Sequence, residues 1–165
     1  MNTHSDSENS LSRMEEMVSK LRALEFRLTP QRMAVLEVLA AGEGHPSVKE
    51  VHEIVKRKFP TTSIATIYKT VNLLKRINEI LEISIPGGSK RYEGGKPFPH
   101  PHVICIRCKK VIDLDLGPLK DITTRIADDT GFEIRSHRLD FFGVCGDCKS
   151  REKLTQKQRR QRHDK

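Results

Sequence analysis

Long apolar runs are missing from this 165-residue sequence, and nothing approaches the roughly 20 residues that a membrane-spanning helix needs. The opening MNTHSDSENS also lacks the apolar core of a secretory leader. Together these absences argue against a membrane-spanning helix and predict a cytoplasmic chain whose thiols stay reduced. Cysteine is scarce, with four in all. No serine-centred nucleophile motif is visible, no internal repeat, and no low-complexity tract before the C-terminal tail. An enzyme built on an activated hydroxyl has little to work with here.

The four cysteines form two tight pairs. Cys105 and Cys108 lie in C-I-R-C, Cys145 and Cys148 in C-G-D-C, with 36 residues between the pairs and no cysteine left over. Two such pairs predict a closed, tetrahedral thiolate site for Zn2+. The alternative is two disulfides or redox chemistry, which a reducing compartment disfavours. If all four thiols hold metal, none remains as a nucleophile.

The formal charge of +8 suggests a polyanionic partner, but its distribution weakens the argument. From Lys149 to Lys165 there are eight Lys or Arg against two acidic residues, so +6 of the +8 sits in a tail. A basic tail attracts phosphate non-specifically or is simply solvated. Nucleic-acid binding therefore has to be argued from the body of the chain.

Along the chain the sequence reads as an α+β protein. Residues 1–11 read as a disordered tail. An amphipathic helix follows from Ser12, with Met14, Met17, Val18, Leu21 and Leu24 at helical spacing. Thr29-Pro30 supplies an N-cap and a first-turn proline for a second helix ending near Gly42. Ser47 and Glu50 form a capping box for a third helix ending at Phe59-Pro60, and Ser63 caps a fourth running to Ile77. Residues 82–85 and 90–93 read as strands joined through Pro86-Gly87-Gly88. Helices followed by a hairpin predict a winged helix-turn-helix domain over 12–94. Residues 95–150 read as a small α/β domain with strands at 102–106, 110–114 and 132–142 and a helix from about Pro118 to Asp129. A basic tail, 151–165, completes the chain.

The fourth helix divides into two faces. On a 100° wheel, Ile64, Ile67, Val71 and Leu74 fall on one side, and Ala65, Tyr68, Lys69, Asn72 and Arg76 fall opposite. The first face suits packing. The second carries groups that bond base edges or phosphate and contact thymine methyls in a major groove. Arg27 and Arg32, beside Thr29-Pro30, are placed to touch phosphate or the adjacent minor groove, and Lys90 and Arg91 lie near the wing. An ordinary solvated helix surface is the competing reading. The candidate DNA-contacting set is Arg27, Arg32, Ala65, Thr66, Tyr68, Lys69 and Asn72.

Four strings carry a resemblance: F-R-L-T-P-Q-R at 26–32, S-I-A-T-I-Y-K-T at 63–70, H-P-H-V-I-C-I-R-C at 100–108 and F-F-G-V-C-G-D-C at 141–148. Together they resemble the ferric uptake regulator family over roughly residues 15–150. The resemblance implies an N-terminal winged-helix domain, a C-terminal α/β dimerisation domain, and a homodimeric repressor on an A·T-rich inverted-repeat operator in double-stranded DNA. It also implies a regulatory metal site formed by His45, Glu93, His100, His102 and Asp113, taking Fe2+ or Mn2+ as corepressor, with Zn2+ able to substitute in vitro. Strand alternation independently sends His100 and His102 to one side and Cys105 to the other, which separates two sites.

Within that family, peroxide-sensing members typically carry Asp where Glu93 and Asp113 stand, and iron-sensing members Glu. This chain has one of each. The strings G-H-P-S and S-H-R-L-D-F-F-G-V-C, and the lack of a histidine-rich run around 99–102, tip the reading slightly towards a peroxide-responsive regulator. An Fe(II)-responsive repressor is the alternative. His137 matches a further metal position of some relatives, but Pro99, Pro101 and Lys120 stand where its partners would be. More distant readings are a metalloenzyme using the open nitrogen and oxygen site, or a zinc-stabilised protein-interaction module.

Overall fold

The computed structural model describes residues 3–42, 44–114 and 119–152. These divide into two compact units, one up to Phe98 and one from Pro99. The first contains α1 (Thr3–Ala23), α2 (Pro30–Ala40), α3 (Val48–Lys58), α4 (Ile64–Arg76), β1 (Leu81–Ile83) and β2 (Arg91–Glu93). The strands pair antiparallel with Leu81 opposite Glu93 and Ile83 opposite Arg91. Three helices and this hairpin make a winged helix.

The helix starts follow from local chemistry. Thr29 accepts from the Arg32 N–H at 3.2 Å. Ser47 Oγ accepts from the Glu50 N–H at 3.3 Å while Glu50 accepts from the Ser47 N–H at 2.7 Å. Ser63 accepts from the Thr66 N–H at 3.2 Å. Each cap satisfies a donor that the first turn leaves without an intrahelical partner. The helices then pack around Met17, Leu21, Leu36, Leu39, Val51, Ile67, Val71 and Leu74, each at most 1% exposed. Truncating one of these leucines to alanine costs about 2–5 kcal/mol.

α1 begins at Thr3, where the sequence suggested a disordered tail through residue 11. Extending a helix already anchored by Met17 and Leu21 costs far less than nucleating one, so a polar stretch can continue it. Gly94, just past β2, accommodates a close approach. A Cβ there would stand 2.7 Å from Met17 Cε and 2.8 Å from Leu39 O.

The second unit is a three-stranded sheet, order β4-β3-β5, with one helix. Its elements are β3 (His102–Cys105), β4 (Val111–Asp113), α5 (Leu119–Thr130) and β5 (Asp140–Gly143). β3 runs antiparallel to β4 and parallel to β5. The expected strand at 132–142 is confined to 140–143, because β3 pairs only with that part, from His102 opposite Asp140 to Cys105 opposite Gly143. Residues before it, such as Phe132 at 71% exposure, have no ladder to join among the described residues. The sheet also divides the apolar residues at β3 and β5 between inside and outside. Ile104 is fully buried, while Ile106, Phe141 and Phe142 are exposed.

Two acidic side chains tie the winged helix together. Burial alone would raise the Glu50 carboxyl, but hydrogen bonds from Ser47 and then the Arg91 guanidinium outweigh it and hold it below its ordinary value. Glu82 is held low in the same way, its burial outweighed by Lys75 and Lys90. Both carboxyls therefore bind protons less tightly folded than unfolded. Their contribution is complete above the unfolded value of 4.5 and is lost as pH falls through the lower folded values. The stability advantage of the natural chain over Glu82→Gln, measured by denaturant titration, should accordingly narrow between about pH 5 and pH 3. A gap that stays constant would mean that the Glu82 cluster is not what titrates.

Candidate metal centres and nucleic-acid interface

The four cysteines converge in the second unit. Cys105 ends β3, Cys108 follows in the turn to β4, and Cys145 and Cys148 come just after β5, so the sheet register itself brings the two pairs together. The Cys105 and Cys148 sulfurs are 3.9 Å apart and those of Cys108 and Cys145 are 3.6 Å apart. No two of the four sulfurs are separated by more than 4.8 Å. A tetrahedron with Zn–S bonds of about 2.3 Å has edges of about 3.8 Å, so the cage fits a zinc ion. None of the four is in a disulfide.

The electrostatics of the cage agree with its geometry. Backbone N–H groups of Cys145, Cys108 and Arg107 point at the Cys105 sulfur and lower its pKa to about 5, against the opposing effect of burial. The Cys148 thiol is pushed up to about 12 by its hydrogen bond to Cys145, by burial and by the remaining sulfurs. Four thiolates this close repel one another. A divalent cation at the centre reverses that penalty and favours all four in the ionised form.

A second group of donors lies on the opposite side of β3. Alternation places His102 away from Cys105, and the pairing of β3 with β4 sets His102 opposite Asp113. His100 Nε2 lies 3.4 Å from Asp113 Oδ1 and His102 Nε2 lies 3.9 Å from it. The two imidazole centroids are 4.5 Å apart. Asp140 holds the other face of this group, its Oδ1 3.3 Å from His102 Nδ1. A carboxylate there fixes which ring nitrogen points at Asp113. Reasoning from sequence missed Asp140, and only the β3–β5 register could have revealed it.

The first unit holds a donor pair of its own. His45 Nε2 is 3.3 Å from Glu93 Oε2, and both residues are buried. Two donors bonded at about 2.1 Å to one ion stand about 3.0–3.5 Å apart at octahedral to tetrahedral angles, which suits this pair as well as His100 with Asp113. The loop carrying His45 is held in an uncommon conformation, with φ of +74° at Gly44 and +48° at His45. β2 pins it there. The Tyr92 N–H donates to Pro46 O at 3.0 Å, and Arg91 bonds both Glu50 and the His45 carbonyl.

The fourth helix presents the expected two faces, with one correction. Ile67, Val71 and Leu74 are fully buried, but Ile64, assigned to the packing face, is 43% exposed because it stands in the first turn, ahead of the core. Ala65, Tyr68, Lys69, Asn72 and Arg76 are exposed, as is Arg27. Thr66 is half-buried and its hydroxyl is 2.9 Å from Ser63 Oγ, which engages it in the helix cap. Arg32, Lys69, Asn72 and Arg76 line one side of a concavity of about 330 Å³ with Phe26. The wing cations are committed elsewhere. Lys90 pairs with Glu82 at 2.7 Å, and Arg91 pairs with Glu50. His52 braces α3 against the next loop, with Nε2 2.8 Å from Thr62 O. The basic tail beyond residue 152 lies outside the described residues.

A sequence model of the ferric uptake regulator family matches residues 23–142. The chain is 32% identical over 136 residues to the peroxide-responsive repressor PerR of Staphylococcus epidermidis, covering 82% of this chain and 90% of that protein. Among solved structures, the peroxide stress regulator of Campylobacter jejuni superposes with a TM-score of 0.66 at 26% identity, over 79% of this chain and 98% of that one. The ferric uptake regulator of Helicobacter pylori shares the fold, with a TM-score of 0.73 at 24% identity over 85% of this chain and 93% of that one.

Replacing Cys148 by serine should release zinc, measured with a chromophoric chelator, and should remove hydrogen-exchange protection from the second unit. Protection in α2–α4 should persist, because their core contains no cysteine. Retention of one zinc per chain by Cys148→Ser would mean that the cage is not the zinc site.

Proposed function

This chain belongs to the ferric uptake regulator family, and we propose that it is a cytoplasmic, homodimeric repressor whose grip on DNA is set by one exchangeable ion held by His45, Glu93, His100, His102 and Asp113. It is a metal-dependent, DNA-binding transcription regulator and not an enzyme. No described helix is long and apolar enough to cross a membrane. The reading proposed here assigns structural Zn2+ to the four cysteines and Fe2+ or Mn2+ to the mixed nitrogen and oxygen set. Thiolates select the first, while imidazole with carboxylate suits the second.

The observation that carries this reading is that each unit holds a buried group of the same donor chemistry, His45 with Glu93 in one and His100, His102 and Asp113 in the other. An ion that takes ligands from both favours one arrangement of the reading head over others, and that differential affinity is what a corepressor needs. The second unit exposes Ile122, Ile126, Phe132, Phe141 and Phe142, an apolar surface suited to a second copy of the chain. Two-fold symmetry would then set two α4 helices on an A·T-rich inverted repeat.

Similarity to peroxide-responsive repressors supports hydrogen peroxide as the signal. Fe(II) held by these five residues would activate hydrogen peroxide. In net terms the imidazole of His45 or His100 would be the two-electron reductant, taking one peroxide oxygen at a ring carbon while the other oxygen leaves as water, and the oxidised ring would then ligate poorly and release DNA. Glu93, in place of the aspartate expected of peroxide sensors, favours the second reading, in which occupancy simply follows free Fe(II).

Fluorescence anisotropy with an A·T-rich inverted-repeat duplex should show binding that needs Mn(II) or Fe(II), is lost with chelator, and weakens steeply with salt. Tyr68→Ala and Lys69→Ala should each reduce affinity about 10-fold or more, with zinc content and dimer unchanged. Unaltered affinity in both variants would remove α4 from the interface. Brief peroxide treatment of the Fe(II)-loaded chain should add one oxygen to a peptide containing His45 or His100, and no added mass on either would leave the iron-responsive reading.

A further inference from the structure

Arg13 lies at 8% exposure on α1, and what it bonds is not explained by packing. Its Nε donates to Gly94 O at 2.7 Å, and its Nη2 donates to Glu79 O at 2.9 Å and to Glu79 Oε2 at 2.6 Å. Two neighbouring nitrogens of the guanidinium thus hold the residue after Glu93 and a residue just beyond the C-terminus of α4, while the third, Nη1, donates to Glu16 Oε2 at 2.9 Å on the same helix.

Both anchors are stiff. Asn78 adopts φ of +56°, the Glu79 N–H bonds Leu74 O at 2.9 Å, and the Asn78 N–H bonds Lys75 O at 3.1 Å. This double closure makes Glu79 a rigid extension of α4. At the other end Gly94 lies against Met17 and Leu39, with no room for a Cβ. A movement of β2 at Glu93 therefore reaches the Arg13 fork before it reaches anything flexible.

We infer that Arg13 is a positioning residue that couples the metal half-site at Glu93 to the orientation of α4 on DNA. This rests on the metal role proposed for Glu93 and the reading role proposed for α4. A planar guanidinium keeps Nε and Nη2 at a fixed separation and bonds both anchors at once, whereas an ammonium is a point charge that bonds one or the other. Lys20 provides the contrast. Its Nζ sits 2.7 Å from Glu79 Oε1, on the same carboxylate. Its ion pair stabilises the α1–Glu79 contact without spanning to the metal half-site.

The test uses the full-length, zinc-loaded chain and Mn(II), which does not react with air during the titration. Mn(II) affinity is measured with and without an A·T-rich inverted-repeat duplex selected for binding to the natural chain, and the ratio is the coupling factor. Such factors are typically about 5- to 150-fold. Arg13→Lys should cut the factor at least fivefold while zinc content, helix content and Mn(II) affinity without DNA stay close to those of the natural chain. Lys20→Gln should lower the thermal midpoint and leave the factor unchanged. A full factor in Arg13→Lys, or an equal loss in Lys20→Gln, overturns the inference. A natural chain with no factor at all instead defeats the metal-dependent reading beneath it. Where Arg13→Lys does not fold, Glu79→Gln weakens the second anchor together with the Lys20 ion pair, whose share Lys20→Gln measures separately, and a factor reduced beyond that of Lys20→Gln, or one equal to it, supports or overturns the inference in the same way.

Discussion

The second unit has too little apolar burial to hold itself together. Among the described residues its buried hydrophobic groups are Ile104 and Cys105, whereas the main core cluster lies entirely in the winged helix. A domain of this size ordinarily needs a disulfide, a metal or a partner subunit. A zinc ion in the thiolate cage would therefore be a folding element first, drawing the end of β3 to the segment after β5 and holding the parallel register of those strands. That register in turn sets His102 between Asp113 and Asp140.

One strand thus serves two kinds of coordination chemistry. Cys105 faces a closed, soft, sulfur-only environment, and His102 faces borderline nitrogen and hard oxygen donors. The alternation of a β-strand keeps them apart within four residues. A closed tetrahedron of thiolates exchanges its metal slowly and suits permanence. A mixed nitrogen and carboxylate set suits reversible occupancy, and a regulator has to keep the two from competing for one ion.

What could be read from the sequence was local. Thr29, Ser47 and Ser63 announce their helices because capping needs only three or four neighbouring residues, and each sits where its motif indicated. The two C-x-x-C pairs are legible for the same reason. The early start of α1, the truncation of β5 and the exposure of Ile64 depend on what packs against those segments, and periodicity does not contain that information. Arg13 and Asp140 were invisible because their partners lie 66 to 81 and 38 residues away. The half-sites were suggested by family resemblance, and their internal distances follow from strand pairing in one unit and a pinned loop in the other.

That pinned loop limits how the chain can change. His45 sits at φ +48°, a region open to glycine, asparagine, aspartate and histidine at small cost and closed in practice to β-branched or bulky residues. Most exchanges there would remove the imidazole and strain the backbone together. Glu93, on an ordinary strand, carries no backbone restriction of that kind, so a substitution at β2 alters a buried side chain alone while one at residue 45 alters side chain and backbone together.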